Sequence, residues 1–208
     1  MGGVDGDPAA VPLFDTPLET PDGTRVLVAQ RSSSAPTGGE PFLRLTGPVV
    51  RGFGRGSKEL GCPTANIPVE PYELLLSGMP TGVYYGYCVV QGAAHVEPDL
   101  RKMVMSCGYN PYYGNTKRTI EAHVLDLVCK DFYGCELTLY VVGYIRAERD
   151  FVSLEALKTA ILADCVSARG ALELDQQALE AVQVHWSATL SQPSNQSAWG
   201  PSEIRPSV

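Results

Sequence analysis

An all-β-dominated fold, a small antiparallel barrel with helices at its C-terminal side, is the expectation for this 208-residue chain. Three observations carry it. Runs rich in β-branched and aromatic residues follow one another at 42–50, 82–91, 102–108, 118–128 and 137–145, punctuated by Gly, Pro or Asn. Their spacing leaves no room for crossover helices, so the strands run antiparallel, and closing the sheet removes the edges that a solitary five- or six-stranded sheet exposes. After them the apolar period lengthens to a helical one.

Taken in order, residues 1–41 are rich in Pro, Gly, Ser, Thr and Asp, with one apolar patch at Val26–Ala29, and read as a mostly disordered extension. Residues 42–190 form the barrel domain with its helices. Residues 191–208 resemble the extension in composition and read as a disordered tail. Within the domain, Leu154, Leu157, Ile161, Cys165 and Ala168 recur at helical spacing behind Ser153, an N-cap with Glu155 in the first turn. A second helix is expected over 175–190, with Asp175 as N-cap and Leu179, Val182 and Trp186 along one stripe.

Bulk properties remove several classes of function. A net charge of −7 disfavours a nucleic-acid partner, which requires an extended basic face. The six cysteines show no C-x-x-C pair and no His at zinc spacing, so neither a zinc ribbon nor a disulfide framework is expected. There is no secretory h-region and no run of apolar residues long enough to span a bilayer, so no membrane partner is expected and the reading is a cytoplasmic protein.

The chemistry concentrates in GFGRGSKELGCPTAN, Gly52 to Asn66. Gly52, Gly54 and Gly56 let backbone approach a ligand closely, while Arg55 and Lys58 supply positive charge, a mixture suited to a polyphosphate. With Pro63 keeping the chain extended, Thr64 and Asn66 project to one side and present two neutral oxygens to one hard cation. The spacing is neither the dinucleotide fingerprint nor a P-loop. A glycine-rich hairpin with solvated cations fits the same residues. Along Thr119–Val128, Ile120, Ala122 and Val124 alternate with Thr119, Glu121 and His123, so the first set is core and the second faces away. A carboxylate such as Glu121 is ordinarily just solvated there, and His123 reads as its hydrogen-bonding neighbour. Two aromatic loops, 106–118 and 131–134, serve either as barrel plugs or as walls for a planar ligand.

In the order GFGRGSKELGCPTAN, TGVYYGY, MSCGYNPYYGNTKRTIEAHVLDL, DFYG and VGYIRAERDFVSLEAL, the chain resembles the riboflavin kinases of the free-standing eukaryotic type over roughly residues 43–173. The resemblance implies a six-stranded antiparallel Greek-key barrel. It also implies transfer of the ATP γ-phosphoryl group to riboflavin, yielding FMN and ADP. By it, Gly52 and Lys58 cover the nucleotide phosphates, Thr64 and Asn66 bind Mg²⁺ or another divalent cation, and Glu121 is the general base. Val124, Asp126 and Tyr133 fall at nucleotide-pocket positions, and Arg146, Arg149 and Phe151 in the loop that closes over the flavin. The family often has His where this chain has Asp126, and an ionised Asp accepts but cannot donate a hydrogen bond. The extension is too short for an adenylyltransferase domain, so the chain is expected to stop at FMN; a monomer is expected as well. A flavin carrier without kinase chemistry remains the rival reading, and a nucleic-acid-binding barrel the weaker one.

Overall fold

The computed structural model describes residues 14–19, 25–29, 41–52, 61–109, 118–128 and 131–190. The strands are β1 (Phe14–Glu19), β2 (Arg25–Ala29), β3 (Leu43–Pro48), β4 (Ala65–Ile67), β5 (Gly82–Gln91), β6 (Arg101–Tyr109), β7 (Arg118–Val124) and β8 (Glu136–Arg146). The helices are α1 (Glu73–Ser77), entered through a 3₁₀ turn at Glu70–Tyr72, α2 (Leu154–Leu174) and α3 (Gln176–Leu190).

Six strands, β3 to β8, make one curled antiparallel sheet in the order β3-β8-β5-β6-β7-β4. Strands β5, β6 and β7 are sequential neighbours and β8 returns beside β5, which is the Greek-key order. Full closure was the expectation, and the sheet stops short of it. Among the described residues its two ends meet at one bridge, where the Val50 N–H donates to the Asn66 carbonyl at 2.8 Å. The reason lies in three prolines: Pro48 ends β3, and Pro63 and Pro68 flank β4, so neither edge strand has the run of N–H donors that a longer ladder needs. The result is a half-barrel pinned at one point.

Strands β1 and β2 fall inside the stretch expected to be mostly disordered, and they correct that expectation locally. They pair with each other, and β2 continues the edge of β8 beyond β3 at Leu27↔Tyr144 and Val28↔Gly143. Strand β8 outruns β3, and its spare edge accepts them; the apolar patch at Val26–Ala29 was the signal.

The curl produces two cores. Inside it lie Leu45, Tyr84, Cys88, Met103, Met105, Ile120 and Leu139; outside it Tyr85, Tyr87, Val89, Tyr140 and Val142 meet the helices. Strand β5 is therefore buried on both faces, which explains its unbroken apolar run. At Gly86 the strand bulges so close to β8 that a Cβ would sit 1.9 Å from the Tyr140 carbonyl oxygen, so only glycine fits.

Helix α2 begins as expected, with the Ala156 N–H donating to Ser153 Oγ at 3.1 Å. It lies on the sheet through Ala160, Cys165, Ala168 and Ala171, small residues that permit close approach, and through the larger Leu172. Leu154, expected on that stripe, is exposed, because the first turn projects past the sheet. Helix α3 starts at Asp175, whose carboxylate accepts from the Ala178 N–H at 2.9 Å, and docks with Val182 and Trp186. Phe42 and His185 sit edge-on to Tyr140, tying α3 to the sheet. Among the described residues, no helix is long and apolar enough to cross a membrane.

Candidate active site

Strands β4 and β7 carry the site. They place Asn66 directly opposite Glu121. Because side chains alternate, Thr64 and Asn66 share a face with Thr119, Glu121 and His123, while Ala65, Ile67, Ile120, Ala122 and Val124 fill the core. Thr64 stands close enough to Glu121 for its hydroxyl to favour the charged form of that carboxylate.

Two cavities open on either side of this pair and share Cys62, Thr64 and His123. The larger, about 460 Å³, contains Val124, Asp126 and Tyr133 together with Cys165 and Arg169 from α2. The smaller, about 300 Å³, contains Glu121, Arg146, Arg149, Phe151 and Asp164. A third, about 340 Å³, contains Gly52 and Asn66 beside Arg51 and Arg118. Every sequence-derived site residue that is described lines one of the three; Lys58 lies outside the described residues.

Burial raises the Glu121 pKa above the ordinary carboxylate value, and the Thr64 hydrogen bond partly opposes the rise. The balance favours a more basic carboxylate in the wall of the smaller cavity, next to the Thr64 that both cavities share. In the smaller cavity, Arg146 grips Asp164 through two parallel hydrogen bonds, Nε to Oδ1 at 2.8 Å and Nη2 to Oδ2 at 2.7 Å. Its guanidinium stands 5.7 Å from the Phe151 ring centroid, with that of Arg149 at 5.1 Å. The ring and the two guanidinium groups give this cavity a planar wall with hydrogen-bond donors at its edge.

Asp126 answers the question its chemistry raises. It adopts φ 60°, a left-handed conformation that Asp tolerates, and its carboxylate receives two hydrogen bonds from Arg169 at 2.6 and 2.8 Å. That arginine holds the carboxyl below the usual range. Arg169 lines the same cavity, and its N–H groups beyond those given to Asp126 are hydrogen-bond donors there. Sequence reasoning missed Arg169 and Asp164. Only Asp164 left a signal, as a charged residue inside the apolar stripe of α2 and buried at 6 % exposure. The described cysteines are free, and burial pushes the Cys165 thiol up to about 11, which leaves it packing rather than attacking.

Among the described residues, no three His, Cys, Asp or Glu side chains gather into a metal site. The donors on the β4–β7 face are oxygens of a hydroxyl, an amide and a carboxylate, the set that a hard, hydrated divalent cation accepts. Thr64 can serve both partners at once, its proton toward Glu121 and its lone pairs toward a cation. These residues fit a magnesium-type ion.

The flavokinase family, described as riboflavin kinase, matches residues 40–172. Riboflavin kinase of Homo sapiens is 48% identical over 130 residues, which make up 62% of this chain and 81% of that one. That of Emericella nidulans is 42% identical over 164 residues, covering 64% and 78%. In three dimensions the chain is similar to riboflavin kinase from Trypanosoma brucei, with TM-score 0.54 and 26% identity over 75% of this chain and 93% of that one. A half-barrel with adjoining cavities and this kinship defines a small-molecule kinase, an enzyme of the transferase class. The chain belongs to the riboflavin kinase family, whose activity implies riboflavin and ATP as substrates.

Proposed function

We propose that this protein moves the γ-phosphoryl group of ATP to the ribityl 5′-hydroxyl of riboflavin, with Mg²⁺ held at Thr64 and Asn66 and with Glu121 as general base. The observation that carries this reading is the strand register that sets Glu121 opposite Asn66, with Thr64 on the wall that two of the cavities share. ATP occupies the 460 Å³ cavity, against Val124, Tyr133 and the Asp126–Arg169 pair. Riboflavin occupies the 300 Å³ cavity, against Phe151 and its flanking arginines. Each substrate then reaches the boundary from its own side, which is the geometry that in-line transfer requires.

A bound magnesium ion would screen the phosphate charge that repels an incoming oxygen. Thr64 and Asn66 are neutral ligands and leave that charge undiminished. Glu121 accepts the hydrogen bond of the ribityl hydroxyl and takes its proton late in the transfer, so it need not match the basicity of an alkoxide. Arg146 is held in place by Asp164, so the flavin wall is set before substrate arrives.

Incubation with riboflavin, ATP and magnesium tests the reading directly: FMN should accumulate, and a chelator should stop it. No FMN from folded protein would refute it and favour a flavin carrier. Two variants probe the metal ligands. Thr64→Ala should raise the magnesium concentration for half-maximal turnover by about 10-fold or more. Gly52→Ala should act in the same direction, because a Cβ there would lie 2.4 Å from Asn66 Nδ2 and the amide must turn away. Unchanged magnesium titrations for both would remove these ligands from the mechanism.

A further inference from the structure

The β4–β7 ladder stops at Ala65↔Ala122, one residue short of Thr64. Continued by one step, it would set Thr64 opposite His123. There the backbone pairing ends, and Pro63, next along the chain, has no N–H with which to resume it. A side chain takes over: His123 Nδ1 lies 2.8 Å from the Pro63 carbonyl oxygen. A carbonyl only accepts, so Nδ1 carries the proton and donates it. The imidazole therefore clamps the residue immediately before Thr64 to the strand that bears Glu121, and it does so at the boundary, since His123, Thr64 and Cys62 line both cavities.

We propose that His123 is a positioning residue: its Nδ1–H holds the Pro63 carbonyl so that the Thr64 hydroxyl stays where it meets both the Glu121 carboxylate and the magnesium nucleotide. This rests on the proposed kinase reading. The imidazole touches neither the transferred group nor the metal; it fixes the backbone that presents the hydroxyl. Removing such a supporting hydrogen bond loosens a ligand without deleting it, which affects apparent metal affinity by roughly 10- to 100-fold.

Three substitutions separate the possibilities. His123→Ala deletes the clamp. His123→Asn places an amide N–H near the former Nδ1 and can donate to Pro63. His123→Gln reaches toward the former Nε2 and cannot. The readouts are the magnesium dependence of turnover and, without riboflavin, Mn²⁺ binding in the presence of ATP followed by electron paramagnetic resonance. Both should weaken by about 10-fold or more in the Ala and Gln variants and recover most of the way in the Asn variant. Wild-type metal dependence in His123→Ala would overturn the proposal. So would a ranking in which Gln rescues and Asn does not, because the other ring nitrogen would then be the one that matters. If the Ala variant fails to fold, the Asn and Gln pair decides by the same ranking. Failure of the wild type to make FMN would instead strike the kinase reading, whereas wild-type turnover with a silent His123→Ala strikes this inference alone.

Discussion

Glu121→Gln should lower kcat by on the order of 10²-fold or more, the usual scale for loss of a general base, with little change in the KM for ATP. The substitution is nearly isosteric, and Thr64 can still donate to the amide oxygen, so the seam between the cavities keeps its shape. What disappears is the proton acceptor. The wild-type pH profile should show the same group. Burial raises the Glu121 pKa, so kcat/KM should fall on the acid side through a midpoint above the ordinary glutamate value of about 4.3. The Thr64 hydrogen bond stabilises the charged form, so Thr64→Ala should move that midpoint further up, and Glu121→Gln should abolish it. Retained turnover in the Gln variant would take Glu121 out of the chemistry.

Arg146→Met should cost both stability and riboflavin. Asp164 is only 6 % exposed and is paired bidentately with Arg146, so deleting the cation strands a buried carboxylate. Breaking such a pair typically costs about 3–5 kcal/mol, which lowers Tm by on the order of 10 °C in a domain of this size. Riboflavin affinity should fall too, because the ring of Phe151 loses one of its two flanking guanidinium groups. A second substitution separates the effects. In Arg146→Met with Asp164→Leu no charge is left buried, so Tm should recover much of the loss while riboflavin binding stays weak. Thermal unfolding and flavin fluorescence titration read the two quantities independently. If the double variant regained flavin binding along with stability, Arg146 would be a structural residue only.

Much of the frame was legible because it follows from local pattern. The alternation along β7 separated Ile120, Ala122 and Val124 from Glu121 and His123, and the structure buries the first set. Ser153 and Asp175 were identifiable as caps because their short oxygen-bearing side chains satisfy the first-turn N–H groups that every helix leaves open. The misses have equally local causes. Strand β4 is three residues long and flanked by prolines, too short for any period to register. Strands β1 and β2 lie in polar, Pro- and Gly-rich sequence, and what orders them is the spare edge of β8, far away in the chain. Full closure failed for the same prolines that shorten the edge strands.

The site divides along the same line. The outward face of Glu121 was legible from the alternation along β7, and the pairing of Thr64 with Asn66 from the extended chain after Pro63, whereas the roles expected of all three came from the resemblance. Asp164 beneath Arg146, Arg169 beside Asp126 and the His123 clamp on Pro63 were not legible. Each joins residues far apart in the chain, and a side-chain partner at that separation exists only once packing has fixed both backbones. Sequence alone determined the strand and helix periods and the residues that share a face, because these depend on bond geometry repeated every two or 3.6 residues. Tertiary structure alone decided how far the barrel closes, which cavities adjoin, and which charges are buried together, because these depend on where the curl of the sheet brings its edges and on what α2 lays across them.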